Sequence, residues 1–501
     1  MNSDRLSGAR VQVDDSGSDA GEKTIPRSAQ LPARSVVSTH DKALRINLDA
    51  AKYGTFAEIG AGQEVARWFF RVGGAAGTIA KTISAYDMAV STATYGPADQ
   101  YVSRRRLLAM LDREHELLRQ QLAAQRGEST TLFVFADTVA ALSHTRHERG
   151  HGWLGVRFQT GSSEPPSEVL LHVHLADKTP AREQEALGIL GVNLLYGAFY
   201  SYQEPAALIG SLMDGLGRDR VEIDLIKFSG PASATADNRL MSLQLVAQGL
   251  SDAAIFTADN EVVQASEVLY KRPILVERGS FRPITKLTLD MLESARAQFL
   301  EEPDLAGETP LVLMEMTLNN LNSAADTDHT DFLHRAEILH ALGNHVLISN
   351  CDRYFSLVEI LSRYTRKKIA LALGVPVLLA LGDEGHYEDL PGGHLEAIGR
   401  LYKESVKLYV YPTRDAASGE IVTLDNVSFP GPYRHLHQFL RETGRVESLR
   451  RYNQAYLGIH TPDVLAMIQA GDSSWEDLVP PTIVETIRGH ELFGYRSRNF
   501  Q

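Results

Sequence analysis

The clearest pattern in the chain is an alternation of short apolar runs with longer amphipathic runs, which extends from about residue 167 to about residue 412. Short apolar runs bounded by turn residues are typical of buried strands, and the amphipathic runs between them are typical of helices that cover a sheet. The strand-like runs are SEVLLHVHLAD (167–177), VEIDLIKF (221–228), DAAIFTAD (252–259), RPILVERG (272–279), PLVLMEMT (310–317), HVLISN (345–350), KIALALGV (368–375) and VKLYVYP (406–412). The pattern predicts an α/β fold with a parallel core of repeated β–α units. About eight strands fit either a (β/α)8-like barrel or a doubly wound open sheet.

The regions on either side of this alternating pattern differ from it in composition, so the chain is predicted to divide into four parts. Residues 1–41 are rich in Ser, Asp, Gly and Arg and predict a disordered leader. Residues 42–130 predict a helical region that contains glycine clusters and a long charged helix over 101–125. Residues 131–429 form the expected α/β core, and residues 430–501 predict a helical C-terminal cap.

Charge and cysteine content narrow the class of protein. The formal net charge is −13, which argues against a general nucleic-acid binder because such proteins present a basic surface to phosphates. Cys351 is the single cysteine, so no intrachain disulfide can form. The N-terminus has no apolar segment typical of a secretion signal, and the longest apolar runs are shorter than the roughly 20 residues of a membrane-spanning helix. We therefore expect a cytoplasmic protein with no nucleic-acid or membrane partner. The sequence is compatible with a homo-oligomer as well as with a monomer.

Polar and charged residues follow the predicted strands. In parallel α/β proteins the carboxyl ends of strands carry the chemistry, so these residues are predicted to meet in one site. Several cations beside carboxylates suit a small anionic, phosphate-bearing substrate. The alternative is that they are ordinary loop residues. The predicted catalytic residues are Lys227, Glu277 and Glu315, and the predicted substrate-binding residues are Arg278, Arg282, Asn350, Arg353 and Arg414.

Two glycine clusters precede the charged helix. EIGAGQ (58–63) has the E-x-G-x-G form of a nucleotide or S-adenosylmethionine loop, and GGAAGTIAKT (73–82) is expected to lead into a helix that carries a lysine. No convincing strand is evident before either cluster, and close helix packing is the alternative explanation. The predicted cofactor-binding residues are Gly60, Gly62, Gly73, Gly74, Gly77 and Lys81. A nucleotide is the cofactor class these clusters suggest.

Two histidine motifs raise the question of a metal. HERGH (147–151) has the spacing of a zinc-protease helix, but its glycines and its position between two strand-like runs favour a loop. HVH (172–174) resembles the first-strand metal motif of amidohydrolase-like barrels, but no later predicted strand ends in histidine. We therefore predict no metal site, and zinc is not the cofactor that the sequence favours.

YGTFAEIGAGQEVARWFFRVGGAAGTIAKTISAYDM (53–88), EALGILGVNLLYGAF, EIDLIKFSGP and LVERGSFRP resemble a family of bacterial proteins that is well represented in cyanobacteria. The resemblance extends from about residue 43 to the C-terminus. Members carry labels as different as nicotinate-nucleotide adenylyltransferase and TonB-dependent receptor. The chain lacks the T/H-x-G-H motif of the first and the signal and alternating strands of the second. The resemblance therefore assigns no catalytic residue.

The leading functional hypothesis is a cytoplasmic enzyme, a transferase or lyase, that acts on a small phosphate- or nucleotide-bearing metabolite. One alternative is a non-catalytic metabolite sensor or assembly protein that uses its helical arms. The other is a zinc-dependent hydrolase that uses HERGH.

Overall fold

The structure is a computed structural model that describes residues 36–60, 62–126, 130–142, 149–318, 329–403, 405–429 and 434–496. The chain forms two compact units. The N-terminal unit comprises Val36–Tyr270 and Met314–Arg353, and the C-terminal unit comprises Lys271–Leu313 and the described part of Tyr354–Gln501.

Strands and helices alternate along most of the described chain. The strands are β1 (Lys52–Ile59), β2 (Ile79–Ile83), β3 (Thr131–Ala140), β4 (His151–Phe158), β5 (Ser167–Leu175), β6 (Val221–Ser229), β7 (Ala253–Phe256), β8 (Val262–Val263), β9 (Ile274–Arg278), β10 (Leu311–Thr317), β11 (His345–Ser349), β12 (Ile369–Gly374), β13 (Val406–Tyr411), β14 (Thr413–Arg414), β15 (Ile421–Val422) and β16 (Val446–Ser448). The α-helices are α1 (Thr39–Asn47), α2 (Glu64–Val72), α3 (Met88–Tyr95), α4 (Arg104–Arg126), α5 (Pro180–Tyr200), α6 (Pro205–Ser211), α7 (Asn238–Ala247), α8 (Ala265–Leu269), α9 (Lys286–Phe299), α10 (His329–Ala341), α11 (Tyr354–Leu361), α12 (Val375–Leu381), α13 (Gly393–Leu401), α14 (Arg434–Glu442), α15 (Thr461–Ala470) and α16 (Pro481–Gly489).

A six-stranded mixed sheet forms the centre of the N-terminal unit, in the order β2-β1-β3-β4-β5-β6. β1 runs parallel to both β2 and β3. From β3 onward each neighbour is antiparallel, because β3, β4, β5 and β6 follow one another as adjacent strands. The direction change places the ends of β1, β3 and β5 together with the beginnings of β4 and β6.

The two faces of this sheet pack against different helices. Phe135, Leu154 and Val173 lie on the face that contributes to the main core, together with apolar residues of α1, α2, α5 and α6. On the other face, α4 lies over β3 and β4. Gly155 allows this approach, since a Cβ there would lie 3.1 Å from the methyl groups of Leu107 and Leu111. The long charged helix predicted over 101–125 therefore covers the sheet with its leucines.

Helices α2 and α5 pack closely because α5 presents glycines to α2. A Cβ at Gly191 would lie 2.4 Å from Val65 Cγ2, and one at Gly188 would lie 3.1 Å from the carbonyl oxygen of Glu64. Such distances exclude any side chain unless the helices separate. The apolar segment around 185–200 thus forms a buried helix in which two glycines fix the distance to its neighbour.

Parallel β–α repeats dominate the C-terminal unit. Its strands β16, β13, β12 and β9 are adjacent in that order and parallel. Helices α9 and α12 contact the strands, and α11 contacts α13. In the N-terminal unit, β11, β7 and β8 pair antiparallel beyond the six-stranded sheet.

The predicted fold class is confirmed: parallel strands lie in sheets flanked by helices, and no barrel closes among the described residues. The expectation that 42–130 is helical misses β1 and β2, which join the six-stranded sheet. Within the predicted C-terminal cap, the described residues are mainly helical but include β16. Most of the predicted leader lies outside the described residues.

None of the described helices combines the length and the apolar character that a helix needs to cross a membrane.

The contact between α2 and α5 gives a stability prediction. Gly191→Ala should destabilise the protein by about 1–3 kcal/mol, because the new methyl group overlaps Val65. Gly399→Ala is the matched control, since it is also helical and has no heavy atom within 4 Å of its Cβ position. The control should be neutral or stabilising by up to about 1 kcal/mol. Thermal and urea unfolding would measure both, and equal effects would contradict the packing argument.

Candidate functional site

The ends of β1 and β3 form the most distinctive site of the N-terminal unit. From β1 the chain passes through α2 to β2 on one side, and β3 pairs with β1 on the other side. In open α/β sheets, ligands bind beyond the carboxyl ends of strands at such a reversal of strand order. At one end of the strands, β1, β3 and β5 finish and β4 begins. We call this side of the sheet the site edge. It contains Ile59, Ala140, His151 and His174, as the strand pairings show.

Two buried carboxyl groups lie side by side at this edge. Glu58 of β1 and Asp137 of β3 are cross-strand partners, and they are only 2% and 1% exposed. Glu58 accepts hydrogen bonds of 3.0 Å from the backbone N–H groups of Val65 and Ala66, at the start of α2. Asp137 accepts a 3.1 Å hydrogen bond from the backbone N–H of Ile59. The strands and the helix are thus joined through the two carboxyl groups.

Burial changes the acidity of both groups. It raises the pKa of Glu58 to about 7, although the two backbone N–H groups oppose the shift. Burial also raises the pKa of Asp137 well above its usual range, and the charge of Glu58 adds to the effect. Neighbouring carboxyl groups whose pKa values are raised by burial are suited to exchange a proton with a substrate.

The loop between β1 and α2 requires glycine at two positions. Gly60 has a φ of 95° and lies directly against β3, where a Cβ would be 1.9 Å from the carbonyl oxygen of Val139. Gly62 has a φ of 82°, and no heavy atom of the described residues lies within 4 Å of its Cβ position. The first glycine therefore allows close packing, and the second leaves open space beside the start of α2.

Several backbone donors lie in this loop and at the start of α2. Gly62, Gln63 and Glu64 donate their N–H groups to no residue that the structure describes. Glu58 occupies only the next two N–H groups of α2. Free donors at a helix start suit an anionic group.

The second glycine cluster lies elsewhere. Gly73 and Gly74 end α2 and turn the chain towards β2. Because α2 rises about 1.5 Å per residue, its length separates them from Gly60 and Gly62. The predicted helix after this cluster is wrong: Lys81 lies in β2, and its Nζ is 2.5 Å from the buried carboxylate of Glu114. The turn that contains Gly77 therefore lies at the opposite end of α2 from Gly60 and Gly62, and the predicted cofactor-binding role of this cluster stays a prediction.

The expectation that all strand-end residues meet at one rim is wrong for Lys227. This lysine lies in β6, which runs antiparallel to β5, so its end is at the edge opposite the site edge. Its Nζ is 2.7 Å from Glu261. The prediction holds only for parallel strands, whereas each strand from β4 to β6 runs antiparallel to the one before it.

Glu277 and Arg278 lie at the end of β9 in the C-terminal unit. Glu277 is 1% exposed, its Oε2 has no hydrogen-bond partner among the described residues, and burial raises its pKa well above the usual range. The guanidinium of Arg278 lies 4.5 Å from the ring centre of Tyr354. Glu277 keeps the character of an acid–base group, and its catalytic role stays a prediction.

The remaining predicted residues are distributed over both units. Glu315 of β10 is fully buried and accepts a 2.5 Å hydrogen bond from Ser349 Oγ. Asn350 and Arg353 follow β11 in the N-terminal unit. Arg282 and Arg414 belong to the C-terminal unit, where Arg414 donates to the carbonyl oxygen of Gly419. Their predicted substrate-binding roles stay predictions.

HERGH does not form a zinc-protease helix. His151 is the first residue of β4, whereas His147 and Glu148 lie outside the described residues. HVH lies in β5, between two antiparallel neighbours rather than in the first strand of a barrel. The residues around it are described below.

Glu58 and Asp137 were missed as site residues, although the sequence held a signal for each. KYGTFAEI carries a glutamate at its second-last position, two residues before the first glycine of the loop, and LFVFADTV places an aspartate inside an apolar strand. A carboxylate in a strand that is buried on both faces must find partners there. β1 was overlooked because lysine, glycine and alanine weaken its strand pattern.

Comparison with known proteins assigns no family. No family profile matches the sequence, and no curated protein matches it. Among solved structures, the chain is similar to the competence/damage inducible protein CihA from Agrobacterium tumefaciens, with 17% identity, a TM-score of 0.24, and coverage of 31% of this chain and 93% of that one. It is also similar to a competence-damaged protein (CinA) superfamily protein from Enterobacter cloacae, with 9% identity, a TM-score of 0.24, and coverage of 34% and 98%. Likeness at this level establishes neither a common fold nor a shared activity.

Burial of Glu58 predicts a pH-dependent stability. Its folded-state pKa of about 7 exceeds the ordinary 4.5, so its contribution to stability is complete below about pH 4.5 and is lost as the pH rises through about 7. For this group alone the loss is on the order of 3 kcal/mol. The free energy of unfolding should therefore fall from about pH 5 to about pH 8 in the wild type and fall less in Glu58→Gln.

Glu116→Gln provides the control, because the side chain of Glu116 is partly exposed and its pKa lies below the ordinary value owing to hydrogen bonds from Arg119 and Gln120. This variant should retain the wild-type fall. Urea unfolding at a series of pH values would measure all three proteins. An undiminished fall in Glu58→Gln would show that Glu58 is not the group responsible.

Proposed function

We propose that this chain is a cytoplasmic enzyme that acts on a small anionic metabolite bearing a phosphate or nucleotide group, and that the metabolite binds at the site edge beyond β1 and β3. The observation that carries the proposal is the buried pair Glu58 and Asp137 beside the open loop at Gly62. Acid–base groups and anion donors lie next to each other there.

The carboxyl pair supplies the proton chemistry of the proposal. At neutral pH the raised pKa values keep a proton on the pair, which a carboxylate in water would have lost. One group can then give a proton to a leaving atom or take one from a nucleophile. Glu58 is held by two backbone donors, so its carboxyl oxygens keep a fixed position relative to the loop.

The loop supplies the binding chemistry. A phosphate oxygen beside Gly62 would meet the N–H groups of Gly62, Gln63 and Glu64, which point from the positive end of the α2 dipole. A charged carboxylate at Glu58 would repel the phosphate, whereas a protonated one does not. The raised pKa of Glu58 therefore favours anion binding below neutral pH.

This assignment places the acid–base role at Glu58 and Asp137 rather than at Lys227 or Glu315. Lys227 is at the opposite edge and is paired with Glu261. Glu315 lies in β10, outside the six-stranded sheet, where Ser349 donates a hydrogen bond to it. Glu277 stays a separate candidate in the C-terminal unit.

A methyl group at Gly62 tests the binding site. Gly62→Ala should weaken binding at least about 10-fold, because the methyl group enters the open space beside the free donors. The probes would be inorganic phosphate, AMP, ATP and NAD, and the measurement would be isothermal titration calorimetry on the full chain. Gly307→Ala is the matched control. Gly307 has a φ of 85° and open surroundings, which resemble those of Gly62, but it lies in the C-terminal unit.

Gly307→Ala carries the same backbone strain and should bind like the wild type. If both variants bind equally, the metabolite binds elsewhere. If none of the four probes binds the wild type, the proposal of a phosphate- or nucleotide-bearing substrate is wrong. The Asp137→Asn variant tests the acid–base role. If this variant binds the metabolite without turning it over while the wild type turns it over, the acid–base role is supported. If the wild type and Asp137→Asn both bind without turnover, a non-catalytic metabolite sensor is favoured.

A further inference from the structure

A cluster of histidines surrounds one aspartate on the six-stranded sheet. His172 and His174 lie on β5, Asp224 lies on β6 and His151 begins β4. None of these residues belongs to the pair of carboxyl groups or to the glycine loop. Glu58 and Asp137 join α2 on the core side of the sheet, whereas the histidines share the other face with Trp153, which pairs with His172.

The backbone explains why these residues point in the same direction. Residues two apart on a strand share a face, which brings His172 and His174 together, and the pairing of β4 with β5 places His151 opposite His174. On β6 the pairing is irregular: His172 pairs with Leu225, but Val173 pairs with Ile223. Asp224 is the extra residue of a β-bulge, and such bulges redirect a side chain at functional sites.

The ligand atoms are already close. His172 Nδ1 lies 2.5 Å from Asp224 Oδ1, and His174 Nε2 lies 3.1 Å from Asp224 Oδ2. One ligand atom from each of the three side chains lies within 4.8 Å of the others. A tetrahedral zinc ion with bonds of about 2.0–2.1 Å needs ligand atoms about 3.3 Å apart. To reach that spacing, the His172–Asp224 pair would open by about 0.8 Å and the His174–Asp224 pair by about 0.2 Å.

The second ring nitrogen of His172 also has partners. His172 Nε2 lies 3.0 Å from the amide nitrogen of Gln264 and 3.4 Å from His151 Nδ1. The oxygen and nitrogen of a glutamine amide exchange places by rotation, so Gln264 can accept a hydrogen bond from His172 Nε2–H. A histidine that binds metal through one nitrogen usually donates from the other to a polar neighbour. Gln264 and His151 meet that requirement.

Access to the cluster is from one side. The side chain of His172 is fully buried and that of Asp224 is 5% exposed, whereas the side chain of His174 is 25% exposed. A metal held by these three residues would therefore keep one coordination position towards the solvent. Three protein ligands with an open position are characteristic of zinc sites that bind water or substrate.

We propose that His172, His174 and Asp224 form a binding site for a divalent transition metal ion of the zinc type, with Gln264 and His151 orienting His172. Two imidazoles and one carboxylate favour zinc, cobalt or nickel over magnesium and calcium, which prefer oxygen ligands. The site goes beyond the proposed reaction and does not depend on it. It also differs from HERGH, since of that motif only His151 takes part, and it does so without binding the metal.

Cobalt titration tests the site. The full chain would be purified without a histidine tag, washed with chelator and titrated with Co²⁺ under visible absorption spectroscopy, with metal content measured in parallel. The wild type should bind about one equivalent and show the intense bands of four-coordinate cobalt. His174→Ala and Asp224→Asn should weaken binding at least about 10-fold. His460→Ala should bind like the wild type, because His460 is exposed and lies at the start of α15.

Circular dichroism would establish that each variant is folded. His174 is the ligand chosen for truncation because it is the most exposed of the three, and asparagine keeps the size of Asp224. If the wild type binds no cobalt or zinc, the cluster is a metal-free hydrogen-bond network and the proposal is wrong. If His174→Ala and Asp224→Asn bind the metal as tightly as the wild type, the metal site lies elsewhere and the proposal is equally wrong.

Discussion

The N-terminal unit depends on the burial of two carboxyl groups between neighbouring parallel strands. Buried carboxyl groups are costly unless they accept hydrogen bonds. Glu58 obtains them from the start of α2, and Asp137 obtains one from the end of β1. The requirement fixes α2 relative to β1 and β3, and the glycines of α5 then bring that helix against α2. The same burial produces the raised pKa values on which the proposed chemistry rests.

Strand direction determines which residues can act together. β1 and β3 are parallel and end at the site edge, but β4 to β6 alternate in direction. The end of β5 therefore reaches the same edge, and the end of β6 does not. The histidine cluster and the carboxyl pair consequently lie towards one edge of one sheet, on opposite faces. A metal ion at the cluster would act on its own face.

The sequence predicted the strands of the core well, because runs such as KIALALGV and VKLYVYP are apolar, short and bounded by turn residues. It failed at β1 and β2, whose mixed composition gives a weak strand pattern. It also failed on strand direction, because periodicity shows which residues are buried but not which strand lies beside which. Lys227 was misplaced for that reason.

The histidine cluster could not be predicted from spacing alone. His172 and His174 were visible as a pair, but Asp224 stands more than forty residues away along the chain, and its orientation depends on a bulge. Gln264 stands about forty residues beyond Asp224 along the chain and belongs to no recognisable motif. No metal was predicted because no later strand ends in histidine, whereas the partner that the fold brings to the two histidines is an aspartate inside the neighbouring strand.

Hydrogen–deuterium exchange of the full chain with and without a nucleotide tests the central claim most directly. If a phosphate-bearing metabolite binds beyond β1 and β3, exchange at the N–H groups of Gly62, Gln63 and Glu64 should slow when the nucleotide that binds most tightly is added. A peptide that spans the end of β6 and the start of α7, around Lys227 and Asn238, lies at the opposite edge of the sheet and should exchange as before. Slower exchange confined to the C-terminal unit, or no change at residues 62–64, would contradict the proposed site.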